Sequence, residues 1–159
     1  MAVPISEQIL AKIQTRLGLI DEADGYETTT SDVVRPTRIA THSPDDYQLV
    51  VTVDKLTPNR DLSYPGNPPA QAWDMEVGVV AENRPSEGDT DSIDSLRNVF
   101  MADVIKAVTS VANWYQWDSL AFNTTYGEIT PVETDTGSGF RLPILVQFRT
   151  DEDNPYNVR

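Results

Sequence analysis

Residues 137 to 156 read GSGFRLPILVQFRTDEDNPY. Phe140, Leu142, Ile144, Val146 and Phe148 recur at every second position, so on an extended chain they share one face, and Arg141, Pro143, Gln147 and Arg149 project from the other. The pattern predicts a half-buried strand. Pro143 cannot donate to a ladder, which places it at a sheet edge or a bulge. A last strand with an unpaired edge invites a neighbouring subunit.

Working outward, 159 residues make one domain, 1–159, able to bury about 70% of the surface of its unfolded chain. There is no cysteine, which excludes disulfides, thiolate metal sites and a thiol nucleophile. The start, MAVPISEQILAKIQTRL, lacks a basic segment followed by an apolar run, and no stretch nears the ~20 apolar residues of a membrane span. A soluble protein made in a cytoplasm, with no membrane partner, is the expectation. Acidic residues number 25 and basic ones 12, for a net charge of -13 and a pI near 4.2. Such a surface repels phosphate, so tight sequence-independent duplex binding is not expected; the simplest role of the charge is solubility.

Ile9, Leu10, Ile13 and Leu17 give helical spacing from Ser6 to Leu17, with Ser6 as cap and Gly18 as a left-handed terminator. Val33 to Ile39, broken by Pro36, reads as an edge strand. Tyr47, Leu49, Val51 and Val53, and then Trp73, Met75, Val77 and Val79, alternate as two strands. Between them a proline-rich loop at about 57–71 is too long for a tight hairpin; it is either a docking element or an excursion packed on its own side chains. Glu82 to Thr90 is polar. A long helix from Asp91 or Ser92 to Asn113 follows, about 33 Å at 1.5 Å per residue, its stripe made by Ile93, Leu96, Phe100, Val104, Ala107, Val108 and Val111. Ala121 to Val132 reads as a further strand, and Asp135, Gly137, Ser138 and Gly139 as the turn before the last one. The fold class is therefore α+β, a small mostly antiparallel sheet packed against a long helix and an N-terminal helix, in the order α-β-β-β-α-β-β. A polar substitution at Phe100 or Ile144 should unfold it.

Chemistry is sparse. His42 is the one histidine and reads as a passive loop residue. DEADGYE from Asp21 lacks the ligand spacing of a calcium loop and reads as a turn. Asp89, Asp91 and Asp94 read as helix capping rather than a cation site. No serine sits in a nucleophile elbow and no phosphate loop is present. Asn123-Thr124-Thr125 matches a glycosylation sequon with no secretion signal behind it, and the tryptophans Trp114 and Trp117 read as core packing rather than a ligand platform. No cofactor, metal or catalytic residue is assigned.

The amino-terminal helix ending in glycine, the VVRPTR strand, two strands with a long loop, a long helix and the closing GSGFRLPILVQFRTDEDNPY resemble the tail terminator, or tail completion, proteins of long-tailed bacteriophages. The resemblance implies a subunit of a homohexameric ring in the virion neck, capping the head-proximal end of the tail tube, stopping its growth and offering a surface to the head-tail connector protein. Its partners would be itself, the tail tube protein and the connector, with genomic DNA passing through an acidic lumen without specific binding. Arg60 and Tyr64 on the loop, Arg141 and Arg149 on the exposed face of the last strand and Tyr156 at the terminus are the candidate subunit or tube contacts. Deleting residues 59 to 70 should leave a folded subunit that fails to cap tubes. Two other readings stand beside this one: a head-tail joining or tube subunit, and a small binding or enzymatic domain with a pocket of its own.

Overall fold

The computed structural model describes residues 2–30, 32–35, 47–66, 69–83, 92–134 and 137–158. His42, Pro36, Asp89, Asp91 and the polar connector beyond Asn83 lie outside them. The chain runs α1 (Ile5–Leu17), a short turn of 3₁₀ helix (Glu22–Asp24), β1 (Asp32–Val34), β2 (Tyr47–Tyr64), β3 (Ala70–Asn83), α2 (Ile93–Thr109), a second 3₁₀ turn (Trp114–Gln116), β4 (Asn123–Tyr126), β5 (Thr130–Thr134), β6 (Gly137–Asp151) and β7 (Asn154–Val158). This is an α+β protein whose two helices cover one face of a mixed seven-stranded sheet, ordered β1-β2-β3-β6-β4 with β5 and β7 also on β6. Among the described residues only β1 runs parallel to its partner; the other pairs are antiparallel.

The alternation in β6 is borne out: Phe140, Leu142, Ile144, Val146 and Phe148 are all buried. They meet Val77, Val79, Met75 and Leu49 from the sheet and Ile9, Ile13, Phe100 and Val104 from the helices. Each such side chain stabilises the fold by about 1.5 to 3 kcal/mol before entropy is subtracted. Phe100 sits edge-on between Tyr47 and Phe140, at centroid distances of 5.0 and 5.8 Å.

The position of β6 differs from the expectation. It is a central strand, paired with β3 on one flank and with β4, β5 and β7 on the other. Pro143 is tolerated because the second flank is interrupted there. β4 ends opposite Ile144, β5 begins opposite Arg141, and between them Gly127 N–H donates to the Pro143 carbonyl at 2.8 Å. Nitrogen and carbonyl of one residue face the same neighbour in an antiparallel pair, so the donor that proline lacks would point into this break. The same break divides the expected Ala121–Val132 strand into β4 and β5.

Other boundaries shift for local reasons. Ser6 does not cap α1; Pro4 precedes the helix with its carbonyl accepting from Gln8 N–H at 3.0 Å, and Gly18 is right-handed at φ -70°. Helix α2 has 17 residues, about 25 Å, and is not the long helix expected. It begins at Ser92, whose hydroxyl accepts from Ser95 N–H at 3.2 Å, and stops before Val111, which is 45% exposed, and Asn113, which is left-handed. The proline-rich loop is largely strand. β2 and β3 continue as a hairpin ribbon to the Asn59–Ala72 pair and, past a bulge, to Tyr64–Ala70, with β6 beside β3 as far as the Ala70–Asp151 pair. Nor is GSG a turn: Gly137, Ser138 and Gly139 open β6. Beyond Asp151 the chain turns back as β7.

Candidate interaction surface

Alternation leaves the other sheet face, which neither helix covers, with Thr52, Asp54, Asp74, Glu76, Gly78, Arg141, Pro143, Leu145, Gln147 and Arg149. Two polar constellations organise it. Near its middle a row of side chains crosses four strands: Asn59 Nδ2 and Gln147 Nε2 each donate to Asp74 at 2.9 Å, and Asn123 Nδ2 donates to Gln147 Oε1 at 2.9 Å. One carboxylate thus accepts from β2 and β6 while β4 completes the row, which fixes the register of the sheet as much as its ladders do. Farther along, the Arg141 guanidinium pairs with Asp54, the extra residue of a bulge in β2 between Val53 and Lys55. Thr52 Oγ1 donates to the other oxygen of that carboxylate at 3.0 Å. Gly78 lies beneath: a Cβ there would stand 2.7 Å from Asp54 Oδ2 and 2.9 Å from Arg141 Nη2.

Asp54, Arg141, Glu76, Tyr126, Pro143 and Leu145 line an open groove of about 490 Å³. Its wall is mixed, with an exposed tyrosine ring and the carboxylate of Glu76, opposite which Lys55 stands in register. Among the described residues no group of three or more His, Asp or Glu is placed to hold a metal ion.

At the far end of the ribbon the chain doubles up. Leu62 N–H donates to Asn59 Oδ1 at 3.2 Å, Ser63 Oγ donates to the Asn59 carbonyl at 2.6 Å, and Ser63 Oγ accepts from Ala72 N–H at 2.9 Å. The bulged segment from Arg60 to Ser63 is thereby bent over Ala72, which is fully buried although it lies on the outer face. Arg149, in register with Ala72, donates Nε–H to the Leu62 carbonyl at 3.2 Å, and its guanidinium lies 4.2 Å from the Phe122 ring centroid and 5.5 Å from that of Tyr64.

The structure therefore brings Tyr64 and Arg149 together and keeps the other three candidates apart. Arg141 shares their strand and face but is held by Asp54. Arg60 is exposed on the bulge, and Tyr156, 44% exposed, belongs to β7, where its N–H donates to Asn154 Oδ1 at 3.1 Å. Sequence reasoning missed the Asn59–Asp74–Gln147–Asn123 row and the aromatic partner Phe122; Gln147 was visible on the polar face, but its partners lie 24 and 73 residues away in the chain and nothing local marks them.

The remaining polar groups are structural. Asp21 Oδ1 accepts from Ala23 N–H at 2.9 Å and Gly25 is left-handed, the turn expected of DEADGYE. Asp94 pairs with Arg97 at 2.8 Å in the first turn of α2. Trp117 is fully buried and donates its indole N–H to Thr124 Oγ1 at 2.9 Å, while Trp114 packs half-buried against the core, in keeping with a packing role. Among the described residues no helix is long and apolar enough to cross a membrane. No protein-family model matches this chain, and no curated protein matches it.

Proposed function

We propose that the chain is a virion structural subunit that associates edge to edge into a ring, capping the head-proximal end of a phage tail tube, as the resemblance of its sequence to tail terminators implies. One observation carries the association: among the described residues β1 covers β2 only at Gln48 to Val50, so from Val51 to Asn59, before the bulge bends over, the outer edge of β2 has no described partner. An unpaired edge of that length is a template for another strand, and each hydrogen bond added stabilises the pairing by a net of about 0.5 to 1.5 kcal/mol. The opposite side of the sheet ends on β4, a different strand. Contact between two unlike edges is head-to-tail, and such contacts close into rings or run on as helices.

The ribbon supports the second half of the reading. Its end leaves Arg60 and Tyr64 exposed, where they can meet a neighbour or a tube, with Arg141, Arg149 and Tyr156 as further contacts. The connector protein would meet the opposite side of the ring, and DNA would pass an acidic lumen unbound. The role needs no reactive group.

Negative-stain microscopy of the purified protein tests this. Rings of uniform diameter are expected; long rods would make the chain a tube subunit, and a stable monomer that turns over a substrate in the groove would make it an enzyme. A second arm closes the ribbon at the Asn59–Ala72 pair with an Asn-Gly turn, replacing residues 60–71. This shifts the cut from 59–70, because Asn59 holds the register row through Asp74. The shortened subunit should fold and fail to limit tube length in a complementation assay; tubes of normal length would count against the docking role.

A further inference from the structure

We infer that Arg149, one of the contacts named in the ring reading, is the centre of a binding site for a carboxylate presented by another protein chain; the site rests on that reading only for the partner it would meet in a ring. A cavity of about 250 Å³ opens beside its guanidinium, lined by Gln116, Ser119, Leu120, Ala121, Phe122 and Val158. In a chain with 25 acidic residues, none of these is acidic.

Three observations converge. First, Arg149 has no counterion among the described residues. Lys12, Arg35, Arg97 and Arg141 each meet a carboxylate, and the guanidinium of Arg16 is satisfied by the carbonyls of Val108 and Trp114. Arg149 uses only Nε, towards Leu62, which leaves its Nη edge without a described acceptor. Second, that side chain is held in place before any ligand arrives. Phe122 and Tyr64 lie against it, and a planar guanidinium fixed by stacking offers its remaining N–H groups as a fork matched to a carboxylate. Third, the rim is built from strained backbone: Trp117, Asp118 and Ser119 are consecutive non-glycine residues with φ of 46°, 60° and 69°. Such runs persist only where the surroundings force them, and this one brings the Ser119 and Gln116 donors to the cavity that Leu120 and Val158 wall with apolar surface.

The ligand class follows. A single carboxylate on an apolar stem, either a chain's C-terminal group or a Glu or Asp side chain, fits a cavity of this size and accepts two N–H bonds. A nucleic acid is disfavoured, since a surface of net charge -13 repels a polyanion.

The test is a titration of the full chain followed by NMR at the Arg149 Nε–H and the Leu120 and Val158 methyl groups. The probes are N-acetyl-Ala-Leu with a free C-terminus, its C-terminal amide, an amidated N-acetyl-Ala-Glu, inorganic phosphate and a single-stranded oligonucleotide. Saturable shifts with the free acid or the Glu peptide, and none with the neutral amide, are expected; which of the two binds tighter names the source of the carboxylate. Arg149→Lys should weaken binding at least tenfold and Arg149→Gln abolish it. Equal shifts with the neutral amide, binding of phosphate or oligonucleotide alone, or no saturable shift at millimolar peptide overturns the inference. The acid-against-amide comparison on the unaltered chain decides even where Arg149→Gln does not fold.

Discussion

Arg16 lies over Trp117, its guanidinium carbon 4.1 Å from the ring centroid, and the two together close the space between α1, the end of α2 and β4. Arg16 Nη1 donates to the carbonyls of Val108 and Trp114, at 3.2 and 3.3 Å, and so satisfies backbone acceptors where α2 runs out. Burial pushes the guanidinium below its ordinary pKa. Arg16→Met keeps most of the side-chain volume but leaves both carbonyls without that donor. A loss of about 1 to 3 kcal/mol is expected, read as a lower urea midpoint at unchanged slope.

Two glycines on neighbouring strands should respond very unequally to the same methyl group. At Gly139 a Cβ would stand 2.1 Å from the backbone oxygen of Ala81, and neither central strand can move away. Gly139→Ala should cost more than about 3 kcal/mol or abolish folding. At Gly78 the nearest atoms are the ends of the Asp54, Arg141 and Thr52 side chains, which can rotate. Gly78→Ala should cost under about 1 kcal/mol and show itself as a rearranged Arg141–Asp54 pair in a crystal structure of the variant.

Ser119 adopts φ 69° with its side chain at the rim of the Arg149 cavity. Glycine has no penalty in that conformation, so Ser119→Gly should raise the melting temperature by about 2 to 4 °C while weakening carboxylate binding through the lost hydroxyl. A lower melting temperature would mean that the left-handed run is not strained.

Glu7 receives two bonds from Arg35, at 2.7 and 3.2 Å, and this pairing holds its carboxyl below its ordinary value of 4.5. A depressed folded-state pKa adds stability above the unfolded value, and that stability fades as pH falls from about 4.5 through the folded pKa. Asp118, held down by Lys12, acts in the same direction. In Glu7→Gln and Asp118→Asn the unfolding midpoint should fall less steeply with acidification between pH 5 and 3 than in the parent, within the range where carboxylates titrate. Both sites are well exposed, so the differences should shrink in high salt.

Asp103 stands where the stripe of α2 would carry an apolar residue, three positions after Phe100 and one before Val104. It is buried, and its Oδ2 accepts from Glu27 N–H, Thr28 N–H and Thr28 Oγ1 at 3.0, 2.8 and 2.8 Å. Asp103→Leu suits helical periodicity but strips those donors of their acceptor. It should destabilise by about 2 to 4 kcal/mol and increase hydrogen exchange at Glu27 and Thr28.

Periodicity alone determined the inner face of this protein. A side chain's face follows from its position in a strand or helix, so Phe140 to Phe148, Met75 to Val79 and Ile9 to Leu17 announce their burial one residue at a time. The sequence also determined the charge and the absence of thiol chemistry. Tertiary structure decided what depends on pairing between distant segments. Whether β6 is an edge or the centre turns on β4, β5 and β7 folding back onto one flank, and whether residues 57–71 are loop or ribbon turns on the register of β2 with β3. The enclosure of Arg149 by Leu62, Tyr64 and Phe122 likewise exists only after three separate segments meet. Hydrogen bonds and ring contacts between remote residues leave no periodic trace along the chain, because their energy is realised only once the loops that separate them have closed.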